Sequence, residues 1–222
     1  MRILLLLILA FSINVLDAQE TNNFNYRFKT GILFGLNRAK FYSNFDFYEN
    51  PKYGFDFGMF VEPNIGKGFS LVFSLCIVNS GGRTVNYDVI NEWGEKTGDH
   101  FWFNSNLQFI QIPIHVNWTY PISNFNVSVF MGPNFSYLLS ANEEFDTDYQ
   151  TDYNESRDIK NWYKEFYFSA DIGASFCYSL NPVWTLMLKS TYTHGITDQN
   201  KTEGFSQKMR DIKLYLGLVL VL

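Results

Sequence analysis

Charged residues and cysteine are scarce in this chain, and each shortage excludes a class of protein. Charged side chains make up 18% of the 222 residues, where about a quarter is usual, and such a composition argues against a disordered chain. The net charge of −5 at pH 7 argues against a nucleic-acid-binding protein, which normally carries a basic patch. Two cysteines are too few for a disulfide-dense scaffold or for a zinc site with four cysteine ligands.

Long apolar runs are also missing beyond the first residues. Residues 3–13 form an apolar run after Arg2 that ends at Asn14, which is typical of the core of a signal peptide. We therefore expect residues 1–18 to be a cleaved signal peptide and residues 19–222 to be exported as one domain. From residue 19 onward no 18 consecutive residues are apolar, so no helical transmembrane segment is predicted there. A membrane-spanning strand, in contrast, needs only about 9–11 residues of alternating polarity.

Aromatic residues are abundant instead, with 23 Phe, 14 Tyr and 5 Trp. Many alternate with small or polar residues at period two, which predicts β-strands. Eight segments alternate in this way, over residues 24–37, 53–65, 69–79, 101–120, 125–139, 163–180, 183–197 and 209–222. Short turn-forming links between them alternate with long polar links, at residues 38–52, 80–100, 140–162 and 198–208. The pattern predicts an all-β fold, an eight-stranded antiparallel up-and-down transmembrane β-barrel with short periplasmic turns and long extracellular loops.

The two faces of each predicted strand differ in side-chain size. In residues 53–65, Tyr53, Phe55 and Phe57 oppose Gly54 and Asp56. Side chains fill the interior of an eight-stranded barrel, so the face of small and polar residues is predicted to point inward. The large apolar face then points outward, where water would meet a very large apolar patch but a lipid bilayer accommodates it. The fourth segment changes phase, and we expect a β-bulge near residues 109–110 to correct it.

Seven charged residues lie on the face that is predicted to point inward: Arg27, Lys29, Asp56, Glu62, Asp171, Lys189 and Lys213. Buried charges have to be paired or hydrogen-bonded, because their desolvation is otherwise too costly. We expect a structural network of salt bridges that plugs the barrel. A polar channel or proton path is the alternative, although eight strands leave little open lumen.

The three histidines are the candidates for catalysis. His115 is predicted to point inward as a hydrogen-bonded filler of the lumen, and His100 lies in a loop. His194 and Ser190 share a strand face but are too far apart along the strand for a direct hydrogen bond. No histidine lies at a metal-ligand spacing from another. The sequence therefore predicts no catalytic residue, no metal and no cofactor, with a barrel enzyme as an alternative.

Two long links and two thiols complete the candidates. Loops 80–100 and 140–162 are possible contacts for a protein partner. The second is acidic but has no EF-hand spacing, so we expect a solvated loop, with weak binding of divalent cations as the alternative. Cys76 and Cys177 are predicted to face the lumen on strands three apart. Because a disulfide needs Cα atoms within about 7 Å, we expect two free thiols.

Several short motifs resemble those of the PorT-like outer-membrane β-barrel family, over about residues 24–222. They are Ile112-Pro113-Ile114, Met131-Gly132-Pro133, Tyr137-Leu138-Leu139, Asp171-Ile172-Gly173 and Leu216-Gly217-Leu218. These motifs mark a strand pattern and not a reactive site. Such barrels commonly end in an aromatic residue that the barrel-assembly machinery recognises, whereas the last residue here is Leu222.

The resemblance implies a non-catalytic barrel in the outer membrane of a Gram-negative bacterium, assembled there by the barrel-assembly machinery. We expect a structural or interaction role through the external loops, with the lipid bilayer as the main partner and no nucleic acid. The name-giving member takes part in protein secretion, so an accessory component of an outer-membrane secretion or transport assembly is the alternative. No residue in this chain carries that secretion role over.

Overall fold

The computed structural model describes residues 27–44, 50–84, 87–90, 93–123, 125–147, 156–202, 204 and 206–222. Ten strands occur in these residues: β1 (Phe28–Ser43), β2 (Asn50–Gly66), β3 (Phe69–Arg83), β4 (Tyr87–Ile90), β5 (Lys96–Ile122), β6 (Phe125–Thr147), β7 (Ser156–Asp158), β8 (Phe166–Ser179), β9 (Trp184–Gly195) and β10 (Gln207–Val221). A 3-10 helix, Lys160–Trp162, follows β7. No helix in the described residues is long and apolar enough to cross a membrane.

The strands form one antiparallel sheet that closes on itself. Going round the ring, β1 pairs with β2, then β3, β5, β6, β8, β9 and β10 follow, and β10 pairs again with β1. The two short strands lie beside this ring, with β4 paired to β5 and β7 paired to β6. The predicted all-β, antiparallel, up-and-down arrangement is confirmed. Closure leaves no long strand with an unpaired edge, which is how barrels avoid edge-to-edge aggregation.

Turn-forming residues define one end of the ring. Between β2 and β3, Gly66, Lys67 and Gly68 all have positive φ, at 106°, 54° and 79°, a region in which glycine meets no steric penalty. Between β8 and β9, the Asn181 Oδ1 atom accepts hydrogen bonds from the Val183 and Trp184 backbone N–H groups. The start of β1 and the end of β10 lie at this same end, which we call the short-turn end.

At the opposite, long-link end, the strands continue further than the sequence predicted. β5 begins at Lys96 and β6 ends at Thr147, so loops 80–100 and 140–162 are partly strand, extended on each side by β4 and β7. Aromatic contacts explain the extension, because the Phe101 ring lies 5.3 Å from the Tyr87 ring and 5.7 Å from the Phe145 ring between centroids. The link expected over 38–52 is shortened in the same way by β1 and β2.

The predicted β-bulge at residues 109–110 is wrong. β5 keeps its alternation throughout, and Leu107 and Phe109 are buried inside the barrel instead of facing outward. The irregularity lies on the neighbouring strand, because Gln108 pairs with Ser140 whereas Phe109 pairs with Leu138. β6 therefore has one extra residue, between Leu138 and Ser140, that has no partner on β5. An extra residue on one strand of a pair is what defines a β-bulge.

Large apolar side chains cover the outside of the ring, as the alternation predicted. Phe34, Leu36 and Leu216 are 58%, 58% and 67% exposed, and similar residues occupy the outward positions of the other long strands. The interior, in contrast, holds more aromatic residues than the sequence suggested, including Phe60 and Phe130. The inward face therefore carries large rings beside the small and polar residues that the alternation predicted there.

Glycines on neighbouring strands make room for these inward rings. A Cβ atom at Gly35 would lie 2.4 Å from the Tyr215 ring, and one at Gly173 would lie 2.4 Å from the Phe130 ring. Both distances are far shorter than a van der Waals contact between carbon atoms, about 3.5–4.0 Å. These two inward rings thus require a neighbouring residue without a side chain.

The buried apolar residues form two clusters separated by polar side chains. The outer apolar cluster, at the long-link end, contains Ala39, Phe41, Leu107, Phe109, Leu138, Ala141, Ile159, Tyr163, Tyr167 and Met209. The inner apolar cluster, nearer the short-turn end, contains Leu33, Phe60, Val72, Cys177, Met187, Tyr215 and Val219. Ile159 and Tyr163 belong to the chain between β7 and β8, so this segment closes the long-link end over the lumen.

We predict that Gly35→Ala destabilises the folded barrel by about 1–3 kcal/mol, the usual cost of overpacking a core. The added methyl group would displace the Tyr215 ring, whose hydroxyl group donates a hydrogen bond to Asp56. The free energy of unfolding in urea, measured in lipid vesicles, checks this. In a Tyr215→Leu background the same glycine substitution should cost clearly less, and equal costs in both backgrounds would contradict the steric explanation.

Candidate functional site

Asp56, on β2, is at the centre of a polar layer between the two apolar clusters. It is 3% exposed. Its Oδ1 atom accepts a hydrogen bond from Asn37 Nδ2 at 2.5 Å, and its Oδ2 atom accepts one from the Tyr215 hydroxyl group at 2.9 Å. These donors come from β1 and β10, so one carboxylate ties three adjacent strands together through the lumen.

Lys213 and Asp171 hold the other half of this layer through two amide side chains. The Lys213 Nζ atom donates to Gln111 Oε1 at 2.6 Å. Asn134 Nδ2 donates to the same oxygen at 3.3 Å and to Asp171 Oδ1 at 3.5 Å. Asp171 Oδ2 in turn lies 3.1 Å from His115 Nε2. The chain of contacts crosses the lumen from β10 to β8.

A second polar group lies nearer the short-turn end around Glu62. Its Oε1 atom accepts hydrogen bonds from Ser70 Oγ at 2.8 Å and Asn117 Nδ2 at 3.3 Å, and it lies 3.5 Å from Lys29 Nζ. Thr119 Oγ1 and Ser128 Oγ form a further hydrogen bond of 2.8 Å. The Glu62 carboxylate therefore has hydrogen-bonding and ion-pair partners on β1, β3 and β5, as a buried charge requires.

The structure brings six of the seven charged residues predicted to point inward into the lumen. Asp56, Glu62, Asp171, Lys189 and Lys213 are buried, and the Lys29 side chain is 14% exposed. Arg27 is exposed at the short-turn end, so its assignment to the lumen is wrong. Its backbone N–H group pairs with the Leu222 carbonyl oxygen, before the regular inward and outward alternation of β1 begins.

Lys189 lies against an aromatic ring. Its Nζ atom lies 4.4 Å from the centroid of the Phe130 ring, and that ring also packs 4.8 Å from the His115 ring. A cation over an aromatic face is attracted by the ring quadrupole, more strongly where water is excluded. The inward aromatic residues therefore contribute to the charge network as well as to the apolar clusters.

Sequence reasoning missed several members of the network. Asp211 is 1% exposed and lies 4.0 Å from Lys213 Nζ, and Ser80 Oγ donates to its Oδ1 atom at 3.4 Å. Period-two alternation places Asp211 on the face of Lys213, so the pattern contained the signal. The partnerships of Gln111 and Asn134 had no such signal, because they depend on which strands meet across the lumen.

Three lysines, Lys29, Lys189 and Lys213, thus share the lumen with four carboxylates, those of Asp56, Glu62, Asp171 and Asp211. A cavity of about 20 Å³ lies beside Phe60, Glu62 and Lys189. That volume is enough for about one water molecule and is far smaller than a pocket for a metabolite. Among the described residues, the space beside Glu62 and Lys189 is therefore too small for a metabolite.

The catalytic candidates do not come together. His115 is buried against Asp171, whereas His194 and Ser190 are both exposed on the outer face of β9. His100 lies 3.4 Å from Asp88 outside the ring. Cys76 and Cys177 are buried and free. Among the described residues, no three His, Cys, Asp or Glu side chains converge as metal ligands would.

Charged residues of the long links form local ion pairs. Arg157 donates to Glu143 at 2.8 Å across the β6–β7 pair, and its guanidinium group lies 4.6 Å from the Trp162 ring centroid. Lys96 pairs with Asp88 across β4 and β5, and its hydrogen bond holds the pKa of the Asp88 carboxyl group below its ordinary value. Each of these two long links is therefore partly held together by an ion pair between its own residues.

A family model for the outer membrane protein beta-barrel domain matches residues 17–199. The chain belongs to this family. Members of such a family are closed antiparallel barrels with an apolar outer surface, as this structure is. The protein is accordingly located in the outer membrane.

Solved structures of other barrels are similar at low identity. OprG from Pseudomonas aeruginosa is 11% identical with a TM-score of 0.49, and 88% of this chain and 95% of that chain are covered. Neisserial surface protein A is 11% identical, with a TM-score of 0.48 and coverages of 87% and 97%. The protease OmpT from Escherichia coli is 8% identical, with a TM-score of 0.45 and coverages of 92% and 100%. No curated protein matches the sequence.

We predict that Lys213→Met destabilises the barrel by about 3–5 kcal/mol, the cost of removing one partner from a buried charge pair. The substitution leaves the carboxylate of Asp211 without its nearby cation and Gln111 without its shortest donor. Urea unfolding in vesicles measures the loss. Lys201→Met, which removes an exposed lysine, should change stability by no more than about 0.5 kcal/mol. Equal effects of the two substitutions would contradict a buried network.

Proposed function

We propose that this family member is a non-catalytic integral outer-membrane protein with eight transmembrane strands and a plugged lumen. The protein has a structural role, or it mediates interactions through its external loops. The observation that carries the proposal is the filled lumen, in which three lysines and four carboxylates share the interior with two clusters of buried apolar residues. A barrel filled in this way presents only its outer wall to lipid and its two ends to water.

The outer wall has the dimensions of a bilayer. On β9, outward residues run from Trp184 through Leu186 and Leu188 to Tyr192, close to the 9–11 residues that a spanning strand needs. Aromatic residues stand at both ends of this stretch, where interfacial girdles of barrels occur. The projecting parts of β5 and β6 extend beyond it at the long-link end.

The export and orientation of the chain belong to the same proposal. Residues 1–18 are a signal peptide removed after export, and residues 19–222 form the barrel domain. The short turns face the periplasm and the long links face the outside of a Gram-negative cell. The barrel-assembly machinery inserts the protein, and the motifs around Pro113 and Pro133 support a place in the PorT-like group.

External contacts are assigned to the projecting sheet of β4, β5, β6 and β7. It includes parts of the two loops predicted as partner contacts, and its aromatic rings are only half-buried. Ile90, at the end of β4, and Trp93, which follows it, are 60% and 85% exposed. An accessory role in an outer-membrane secretion or transport assembly is the second candidate. The exposed apolar residues of the projecting sheet are the observation that favours it, because they could contact another protein.

We predict that the two ends of the barrel differ in access to a membrane-impermeant maleimide. Cys76 and Cys177 are buried, so a single exposed cysteine reports on its own position. Lys201→Cys, in a long link, should be labelled on intact cells. Lys67→Cys, in a short turn, should be labelled only after the outer membrane is permeabilised. The opposite result would invert the proposed orientation, and labelling of both residues in intact cells would argue against membrane insertion.

We also predict that the purified protein in a planar bilayer shows no stepwise conductance, because the side chains of both apolar clusters block the lumen. The matched control is Phe41→Ala combined with Phe109→Ala, which opens the outer apolar cluster but leaves the polar layer in place. That variant should remain closed as well. Resolved conductance steps from the unsubstituted protein would contradict the plugged lumen and favour a channel.

A further inference from the structure

Four cations gather on the outward face of β1 and β10, just beyond the apolar band at the long-link end. Lys40 and Arg210 lie directly opposite each other in the β1–β10 ladder. Arg38 shares their face on β1, and Lys208 shares it on β10. We name these four residues the cationic row. On the neighbouring strand, His194 of β9 is opposite Arg210 and continues the row.

The cationic row has no anionic partner among the described residues, since none of its members takes part in their ion pairs. Like charges directly opposite each other in a ladder are destabilising, so Lys40 beside Arg210 is an unfavourable pair. The Arg210 guanidinium group stacks 4.2 Å from the Tyr42 ring centroid. Its Nε atom is shielded from solvent and has no hydrogen-bond partner in the described part of the chain.

An apolar depression of about 480 Å³ lies in the outer wall on the membrane side of the row. Strands β1, β2 and β10 supply most of its lining: Phe34, Leu36, Phe55, Phe57, Leu214 and Leu216. Leu36 is the next outward residue of β1 after Arg38, so the charged and apolar parts adjoin on the same strands. A ligand that satisfies both has an anionic head and a hydrocarbon chain.

We propose that the cationic row and this depression bind a phosphate-bearing lipid of the surrounding leaflet. The phosphate group lies against Lys40 and Arg210, and an acyl chain occupies the depression. Arginine suits the head because its planar fork can donate two hydrogen bonds to phosphate oxygens. The bound anion relieves the repulsion across the β1–β10 ladder. The inference rests on the proposed membrane-embedded barrel and adds a specific lipid site to it.

Native mass spectrometry of the full chain in neutral detergent tests the proposal. The probe is phosphatidic acid, compared with diacylglycerol, which lacks the phosphate, and with inorganic phosphate, which lacks the chains. The variant is Lys40→Gln with Arg210→Gln. The control is Lys164→Gln with Lys201→Gln, which removes the same charge from exposed positions at the long-link end. A boiling-dependent shift on an SDS gel shows that each variant is folded.

We expect phosphatidic acid to bind the unsubstituted protein about tenfold or more tightly than diacylglycerol, and the Lys40/Arg210 variant to lose that preference while the control keeps it. Equal losses in variant and control would show attraction by net charge alone and overturn the site. Displacement of the lipid by inorganic phosphate at equal concentration would assign the row to free phosphate. A protein that shows no folded band fails the barrel proposal, whereas a folded protein without lipid preference fails only this one.

Discussion

Neutralisation of charge inside a closed barrel is the constraint on which the rest of this structure depends. A bilayer around the wall removes water from one side, and a filled lumen removes it from the other. Every lysine and carboxylate inside must therefore find its partner within the lumen. Asp56 joins donors of β1 and β10, and Gln111 joins Lys213 to Asn134. These contacts fix the strands relative to one another in a way that backbone ladders alone do not.

The apolar clusters and the glycines follow from the same constraint. Polar side chains alone would leave gaps, and rings such as Phe130 fill them while presenting a face to Lys189 and His115. A ring in so narrow a lumen needs a neighbour without a Cβ atom, which Gly173 provides. At the long-link end, Ile159 and Tyr163 complete the closure from a segment outside the ring. Aromatic packing and charge pairing are thus parts of one interior.

Much of the fold could be read from the sequence, because period-two alternation reports directly on which residues face lipid. Outward positions such as Phe34 and Leu216, and inward charges such as Asp171 and Lys213, follow from that pattern. The ends of the strands do not follow from that pattern, since Phe101 and Phe145 extend β5 and β6 beyond the membrane through contacts between strands. The change of phase predicts a bulge on β5, whereas the bulge lies on β6, because Leu107 and Phe109 are apolar yet buried. Hydrophobicity alone cannot distinguish a lipid-facing residue from one in an apolar cluster of the lumen.

The most direct test of the account is fractionation of cells in high salt and urea, followed by SDS gel electrophoresis with and without boiling. A closed barrel stabilised by its interior network and embedded in lipid should stay with the outer-membrane fraction. Its band should migrate differently before and after boiling. A protein released in soluble form, with one band position under both conditions, would contradict the central claim that the apolar wall faces lipid.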